Sequence, residues 1–198
     1  MLYREDNTLR IVVITSPDFV REETEKIHAL FEAGLEILHV RKPKASKEEY
    51  IRFLNGIQPV YHGRIKIHEY FELADSLNVS GVHLNVRCPK YEGEKPLQIS
   101  KSCHSLEELS AIDKYDYVFL SPIFDSISKK GYDSNFSADV LKKASEQGII
   151  NRKVIALGGI NPATLPLVKK YAFGGVAVLG TIWQTENVAE NFYRLKNG

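Results

Sequence analysis

Eight short apolar segments recur along the chain with helix-like segments between them, and this alternation constrains the fold more than any other feature. Several of the segments are rich in valine, isoleucine and leucine, as expected of strands that are buried on both faces of a parallel sheet. We predict eight β-strands, at Leu9 to Ile14, Glu36 to Val40, Arg64 to Ile67, Gly81 to Leu84, Gln98 to Ser102, Tyr117 to Leu120, Lys153 to Leu157 and Gly174 to Leu179.

Local capping signals predict helices between these strands. Two stretches fit a capping box, in which a serine and a glutamate three residues later cap each other's backbone N–H groups: Ser46 with Glu49, and Ser105 with Glu108. The other predicted helices are residues 22–33 followed by Gly34, a helix capped by Ser137 that runs to about Gln147, a helix that starts at Asn161-Pro162, and residues 187–195. The connection 86–96 shows little helical pattern.

Strands and helices that alternate strictly form parallel strands with right-handed crossovers, and eight such units close into a barrel. The competing fold is an open doubly wound sheet. When such a sheet binds a nucleotide, it commonly carries a Gly-x-Gly-x-x-Gly turn after its first strand, whereas this chain has Thr15-Ser16-Pro17-Asp18 at that place. We therefore predict an α/β fold, a (β/α)8 TIM barrel, in which residues 1–198 form a single domain.

The charge balance and the cysteine content limit the partners and the compartment. The chain has 26 Lys and Arg against 25 Asp and Glu, so no overall field attracts nucleic acid or a membrane surface. Two cysteines, Cys88 and Cys103, are too few for a disulfide framework, and no segment has the length of a membrane span or the pattern of a signal peptide. We expect a cytoplasmic protein that binds small molecules, and the sequence leaves open whether it forms a homo-oligomer.

In a barrel of this type the functional residues lie at the C-terminal ends of the strands. Many polar residues follow the predicted strands of this chain: Arg41, His68, Glu69, His83, Asn85, Ser102, His104, Ser121, Ser126, Ser128 and Lys129. The sequence therefore predicts a polar site at the barrel mouth.

A phosphate site is predicted after the last two strands. Gly158-Gly159 allows the backbone to approach a ligand, and the segment that follows offers free amide groups at a helix N-terminus. Leu179 and Gly180, after the eighth strand, complete the same cradle. The alternative is a tight turn that only joins a strand to a helix.

Other residues of the mouth suit an anionic substrate. The segment 121–131 concentrates hydroxyls and lysines, and Arg41 at the end of the second strand is placed to bind phosphate in bidentate fashion. His68 and Glu69 offer an imidazole and a carboxylate to a hard cation such as magnesium, although one carboxylate makes a weak dedicated site. Each of these features has a purely structural alternative: a solvated turn for the segment 121–131, an exterior ion pair for Arg41 and a polar strand end for His68-Glu69. For His83 the alternative is a core histidine whose hydrogen bonds are satisfied.

Several motifs together resemble the thiamine-phosphate synthase family, which includes the thiazole tautomerases of the TenI type. The similarity covers nearly the whole chain. It rests on Leu73-Ala74, Gly81-Val82-His83-Leu84, Ser102-Cys103-His104-Ser105, Asp116-Tyr117-Val118, Ser121-Pro122-Ile123-Phe124, Ala156-Leu157-Gly158-Gly159-Ile160 and Gly174-Gly175-Val176-Ala177-Val178.

The resemblance implies a transferase of thiamine biosynthesis that joins an aminopyrimidine methyl pyrophosphate to a thiazole phosphate and releases pyrophosphate with the help of magnesium, through a pyrimidine carbocation. It implies that Arg41, Ser102 and Lys129 are catalytic and face the pyrophosphate, and that Glu69 binds the metal. The substrate-binding residues that we predict are His39, His68, His83, His104, Ser126, Ser128, Gly158, Gly159, Leu179 and Gly180.

This chain departs from the family pattern mainly on the pyrophosphate side. The family's Gln-x-Arg-Glu-Lys is His39-Val40-Arg41-Lys42-Pro43, which leaves Lys42 or Lys44 to replace the missing cation. The further departures are His68-Glu69 for Asn-Asp, Cys88 for a second metal aspartate, Gly180 for a serine and Pro122 for the histidine of the tautomerases. Two alternatives to the synthase therefore stay open, a thiazole tautomerase-like isomerase and a non-catalytic binder of a thiamine-related phosphate.

Overall fold

Eight parallel strands close into a barrel in the computed structural model, which describes residues 9–124, 136–184 and 186–198. The strands are β1 (Arg10–Ile14), β2 (Ile37–Val40), β3 (Ile65–Ile67), β4 (Gly81–Leu84), β5 (Gln98–Cys103), β6 (Tyr117–Leu120), β7 (Val154–Leu157) and β8 (Gly175–Val178). Each strand pairs with the next, and β8 pairs with β1. This confirms the predicted (β/α)8 barrel and excludes the open sheet.

Seven α-helices lie within the described ranges. They are α1 (Glu23–Glu32), α2 (Lys47–Gly56), α3 (Leu73–Ser76), α4 (Ala138–Glu146), α5 (Leu165–Val168), α6 (Gly180–Trp183) and α7 (Val188–Asn197). The 3-10 helix Pro59–Arg64 follows α2 before β3, and the 3-10 helix Glu107–Ala111 takes the place of an α-helix between β5 and β6. No helix in these ranges is long and apolar enough to span a membrane.

The capping signals predict the starts of α2 and α4 correctly but not the element after Ser105. The capping box of Ser46 and Glu49 is formed, and the Ser137 hydroxyl accepts a hydrogen bond from the N–H of Val140 at the start of α4. The predicted α-helix after Ser105 is wrong: Glu108 accepts from the N–H of His104 instead of closing the box, and only a 3-10 helix forms.

The helix predicted at Asn161-Pro162 begins later than expected. The Asn161 side chain accepts hydrogen bonds from the N–H groups of Ala163 and Thr164 and so caps a turn, after which α5 starts at Leu165. An asparagine can stabilise a turn as readily as a helix start, and the sequence pattern alone does not distinguish the two.

Alternating side chains on the strands build two separate cores. Outward residues pack against the helices in the larger cluster, whereas Val12, Ile14, Phe119, Ile155 and Ala177 form a small apolar cluster that also includes Tyr117. Strand side chains alternate between the two faces of a sheet, so the smaller cluster fills the barrel interior. The interior positions of β2 to β5 carry polar residues instead: His39, Lys66, His68, His83, Ser100 and Ser102.

Candidate active site at the barrel mouth

Three buried histidines from neighbouring strands form the floor of the candidate site. His39 Nδ1 lies 2.8 Å from His68 Nε2, and His39 Nε2 lies 2.6 Å from the hydroxyl of Tyr117. His83 bonds to the hydroxyls of Ser100 and Ser102 at 2.9 and 2.8 Å. The rings of His68 and His83 stack with their centroids 4.3 Å apart. The sequence predictions of these histidines therefore converge on one network.

Burial keeps this histidine network neutral. It lowers the pKa of His39 and His68 well below the usual value, and it lowers the pKa of His83 to about 3, with nearby cations acting in the same direction. The three histidines place ligand nitrogens within 4.8 Å of one another, a grouping that could hold a metal ion. Both ring nitrogens of His39 and of His83 already have hydrogen-bond partners, however, so the network is closed without an ion.

A charged edge lies where β2, β3 and β4 end. Glu69 is 7% exposed, and its Oε1 lies 2.7 Å from a guanidinium nitrogen of Arg87, while its Oε2 accepts from the N–H of Lys42 at 3.0 Å. Arg41 is half-buried beside them, with its backbone held by Thr15. Burial lowers the pKa of Arg41, Arg87 lowers it further and Glu69 raises it, so all three charges interact.

The structure excludes Lys42 as the replacement for the lysine that the family pattern has in place of Pro43. The Lys42 side chain is 1% exposed, and its ammonium group lies 2.6 Å from a carboxylate oxygen of Glu23, whose side chain is 3% exposed. It also donates to the carbonyl oxygens of Ser16 and Asp18. Lys44 is exposed and pairs with the Asp18 side chain. Lys42 therefore anchors α1 against the end of β2 and is not available to a ligand.

A glycine edge lies on the opposite side, where β7 and β8 end. Gly158 and Gly159 have φ angles of 102° and 64°, which favour glycine. A Cβ atom on Gly158 would lie 2.9 Å from the Cα atom of Pro122. No described residue accepts a hydrogen bond from the N–H groups of Gly159 and Gly180. These two N–H groups therefore lack a protein acceptor among the described residues, and the phosphate site remains a prediction.

Two threonine hydroxyls donate hydrogen bonds to backbone carbonyl oxygens of this edge. Thr164 donates to the carbonyl oxygen of Gly159 at 2.9 Å, and Thr181 donates to that of Ile160 at 2.5 Å. Leu179 precedes α6 as its N-cap residue. These bonds use carbonyl oxygens and leave the N–H groups of Gly159 and Gly180 without a partner among the described residues.

The other predicted site residues fall in three places. Ser102 is half-buried and bonded to His83. His104 is exposed and contacts the Ser121 carbonyl oxygen after β6, so it stands apart from the buried histidines. Ser126, Ser128 and Lys129 lie outside the described residues, and their roles remain predictions from sequence.

Three residues that sequence reasoning missed belong to this site or support it: Arg87, Tyr117 and Lys66. Arg87 and Tyr117 have no local signal, because their partners are distant in sequence. Lys66 stands between Ile65 and Ile67 on β3, and this pattern places a lysine on the barrel interior. It donates to Gln98, and burial lowers its pKa to about 7.

Comparison with known proteins identifies what this arrangement resembles. The family model described as thiamine monophosphate synthase matches residues 11–182. A thiamine-phosphate synthase of Lysinibacillus sphaericus is 27% identical over 205 residues, which cover 94% of this chain and 93% of that protein. A thiamine-phosphate synthase of Methanococcus maripaludis is 24% identical and covers 94% of each chain.

Solved structures agree with the sequence comparisons. The crystal structure of a thiamine phosphate pyrophosphorylase from Bacteroides thetaiotaomicron is 40% identical, covers 96% of both chains and has a TM-score of 0.86. The corresponding Pyrococcus furiosus structure has a TM-score of 0.77 at 22% identity, which supports the fold alone.

Proposed function

The chain belongs to the thiamine monophosphate synthase family, and from this we propose that it joins an aminopyrimidine methyl pyrophosphate to a thiazole phosphate, giving thiamine phosphate and pyrophosphate. The protein is then a transferase of thiamine biosynthesis. The comparisons support the transferase over the tautomerase-like isomerase, since the relatives named above are synthases or pyrophosphorylases.

The observation that carries this proposal is the presence of two edges on opposite sides of one mouth, one with guanidinium groups and one with backbone N–H groups that are unpaired within the described parts of the chain. In a closed ring of eight strands, β3 lies opposite β7, and β4 lies opposite β8. Arg41 and Arg87 stand on the first side, and the N–H groups of Gly159 and Gly180 stand on the second. An enzyme that couples a pyrophosphate-bearing molecule to a phosphate-bearing one needs such a pair of sites.

The charged edge suits the leaving group. The coupling forms a bond between the thiazole nitrogen and the pyrimidine methylene carbon, and it breaks the bond from that carbon to the pyrophosphate oxygen, which keeps the electron pair. Negative charge therefore develops on the pyrophosphate, where guanidinium groups stabilise it. We assign Arg41 to this role, together with Lys129, which follows from sequence.

The neutral histidine network suits the pyrimidine. Positive charge develops on the pyrimidine as its bond to pyrophosphate breaks, and three cationic imidazoles would oppose that charge. Burial holds His39, His68 and His83 neutral, so they place no positive charge beside the pyrimidine. We propose that His83 contacts the pyrimidine and that Ser102 orients His83 through their 2.8 Å hydrogen bond.

Magnesium, which the family resemblance implies, does not fit Glu69 as this residue stands. Both carboxylate oxygens have partners, Arg87 on one and the N–H of Lys42 on the other. Cys88 offers a soft thiol where a hard cation prefers oxygen. The binding of the leaving group is therefore assigned to the protein's own cations.

The glycine edge suits the thiazole phosphate. We propose that Gly158, Gly159, Leu179 and Gly180 form its cradle, with Ser126, Ser128 and His104 as sequence-based additions. We also propose that residues 1–198 act as one domain in the cytoplasm. The near balance of 26 Lys and Arg with 25 Asp and Glu supports small-molecule substrates over nucleic acid.

The test is the formation of thiamine phosphate by the purified protein. Both half-substrates are supplied together, and each is supplied alone as a control, with the product measured by chromatography and pyrophosphate by a coupled assay. Product that appears only with both substrates supports the transferase. Saturable binding of the thiazole phosphate without product at high protein concentration would instead indicate a non-catalytic binder.

A further inference from the structure

The turn after β4 holds Arg87 at a fixed place beside β3. Asn85 and Cys88 exchange backbone hydrogen bonds, and the Asn85 side-chain oxygen accepts from the N–H groups of Arg87 and Cys88. The Asn85 amide nitrogen donates to the His68 carbonyl oxygen at 2.9 Å. Asparagine thus ties the end of β4 to the end of β3, and the backbone of Arg87 is positioned by contacts that do not involve its own side chain.

The guanidinium of Arg87 stands at the carboxylate that a metal would otherwise use. It lies 2.7 Å from Glu69 Oε1, and the second oxygen of Glu69 is held by the Lys42 N–H. A cation that entered between Arg87 and Glu69 would have to break this ion pair and would then face the guanidinium charge. The carboxylate therefore orients an arginine rather than a metal ion.

Arg87 remains able to bind a second anion. Its side chain is 43% exposed, and a guanidinium has five N–H donors, of which the contact with Glu69 uses one. Arg41 is close by, and no hydrogen bond or ion pair joins its guanidinium to any described residue. Two guanidinium groups and one carboxylate leave one net positive charge at the ends of three adjacent strands.

We propose that Arg87, oriented by Glu69 and acting with Arg41, binds the pyrophosphate group and takes the place of a magnesium ion in this chain. Two guanidinium groups offer the bidentate hydrogen bonds that phosphate oxygens accept. The proposal rests on the function proposed above, because it assigns the pyrophosphate to this edge. It makes pyrophosphate binding, and coupling itself, independent of divalent metal.

The first test measures the binding of inorganic pyrophosphate by calorimetry in the presence of EDTA. We expect saturable binding by the native protein and a roughly tenfold or greater loss of affinity in Arg87→Gln, because charge-assisted hydrogen bonds are removed. Arg52→Gln is the matched control, because Arg52 is an exposed arginine on α2, and its affinity should equal that of the native protein. Pyrophosphate binding that needs magnesium, or that is equal in Arg87→Gln and the native protein, overturns the proposal.

The second test uses Glu69→Gln, for which the two roles of Glu69 predict opposite results. The amide of the variant keeps an acceptor for the Lys42 N–H, but it removes the negative charge that neutralises part of the charge of Arg41 and Arg87. We therefore expect Glu69→Gln to bind pyrophosphate more tightly than the native protein in EDTA. If Glu69 is a metal ligand, the variant instead loses magnesium-dependent binding and gains nothing in EDTA. Thermal melts of all variants check that they fold.

Turnover distinguishes this inference from the proposed function. Thiamine phosphate formation in EDTA that falls in Arg87→Gln supports both. Formation that requires magnesium and is unaffected by Arg87→Gln leaves the transferase intact and overturns the role of Arg87. Arg87-dependent pyrophosphate binding without any coupling keeps the anion site and overturns the transferase.

Discussion

The two halves of the barrel interior are built on different principles. From β2 to β5 the interior carries histidines, serines and a lysine, and the mouth above them carries Arg41, Glu69 and Arg87. In the other half the interior is apolar, and the mouth is formed by glycine backbone. The first half therefore presents side chains that hold one another, whereas the second presents main-chain N–H groups.

The two halves differ in how a departure from the family pattern should affect them. A backbone cradle depends on conformation, so glycine can replace a serine at position 180 and still leave an N–H donor. A side-chain network changes as a unit: the longer Glu69 occurs together with Arg87 as its partner and with Cys88 where a metal carboxylate is expected. The polar half should therefore respond to changes in charge, and the glycine half to added volume.

The largest expected effect comes from the buried ion pair that supports the polar half. Lys42→Met leaves the Glu23 carboxylate buried without its partner, and breaking a buried pair in this way costs about 3–5 kcal/mol. We expect a loss of this size in the free energy of unfolding, measured by urea denaturation. Lys44→Met is the control, because the pair of Lys44 with Asp18 is exposed and should contribute about 0–1 kcal/mol. Equal losses in the two variants would show that the Lys42 pair does not support this edge.

The next effect is the dependence of stability on pH that the buried histidines of the polar half should produce. The folded-state pKa of His83 is about 3, below the value of an exposed histidine. At pH values between the folded-state and unfolded-state pKa of His83, the unfolded state binds a proton that the folded state does not. The free energy of unfolding is therefore highest above about pH 6.5 and decreases as the pH falls below it. Each such histidine contributes about 1.4 kcal/mol per pH unit.

The variant His83→Asn isolates this contribution. Its free energy of unfolding should change between pH 6 and pH 4 with a slope smaller by about one proton, whatever its stability at pH 7. His104→Asn removes an exposed imidazole and serves as the control. An unchanged slope in His83→Asn would mean that His83 is protonated in the folded protein.

The glycine half is tested by adding a single methyl group. Gly158→Ala places a Cβ atom 2.9 Å from Pro122 at a φ angle of 102°, and backbone strain of this kind costs about 1–3 kcal/mol. We expect that loss of stability together with weaker binding of inorganic phosphate. Gly63→Ala, where a Cβ atom meets nothing within 4 Å, should be close to neutral. Phosphate affinity that survives in a destabilised Gly158→Ala protein would place the anion elsewhere.

Sequence predicts the parts of this molecule that depend on local pattern. The strand bounds agree to within one residue, because a strand buried on both faces is a short run of consecutive buried residues, as in Gly81–Leu84. The Gly158-Gly159 turn is predicted because only glycine suits its conformation. The helix after Ser105 is wrong, since a local capping pattern does not register that Glu108 contacts His104.

The sequence alone does not predict side-chain contacts between different strands. Arg87 has no motif of its own, and its role depends on the register that places the end of β4 beside Glu69. Histidines 39, 68 and 83 were predicted singly as ligand contacts, but their shared burial and neutrality arise only when β2, β3 and β4 are adjacent. Polar networks of this kind require the fold before the partners can be named.

The smallest effect decides between two roles for Ser102. Sequence assigns its hydroxyl to the pyrophosphate, whereas the structure bonds it to His83. Ser102→Ala should cost about 0.5–1.5 kcal/mol of stability, the usual net value of one hydrogen bond. If Ser102 orients His83, the affinity for inorganic pyrophosphate stays the same while the KM for the pyrimidine substrate rises. Ser110→Ala, an exposed serine on the 3-10 helix before β6, is the control for both measurements. A drop in pyrophosphate affinity in Ser102→Ala would indicate that Ser102 contacts the pyrophosphate, as the sequence predicts. The charged edge would then extend from β4 to β5.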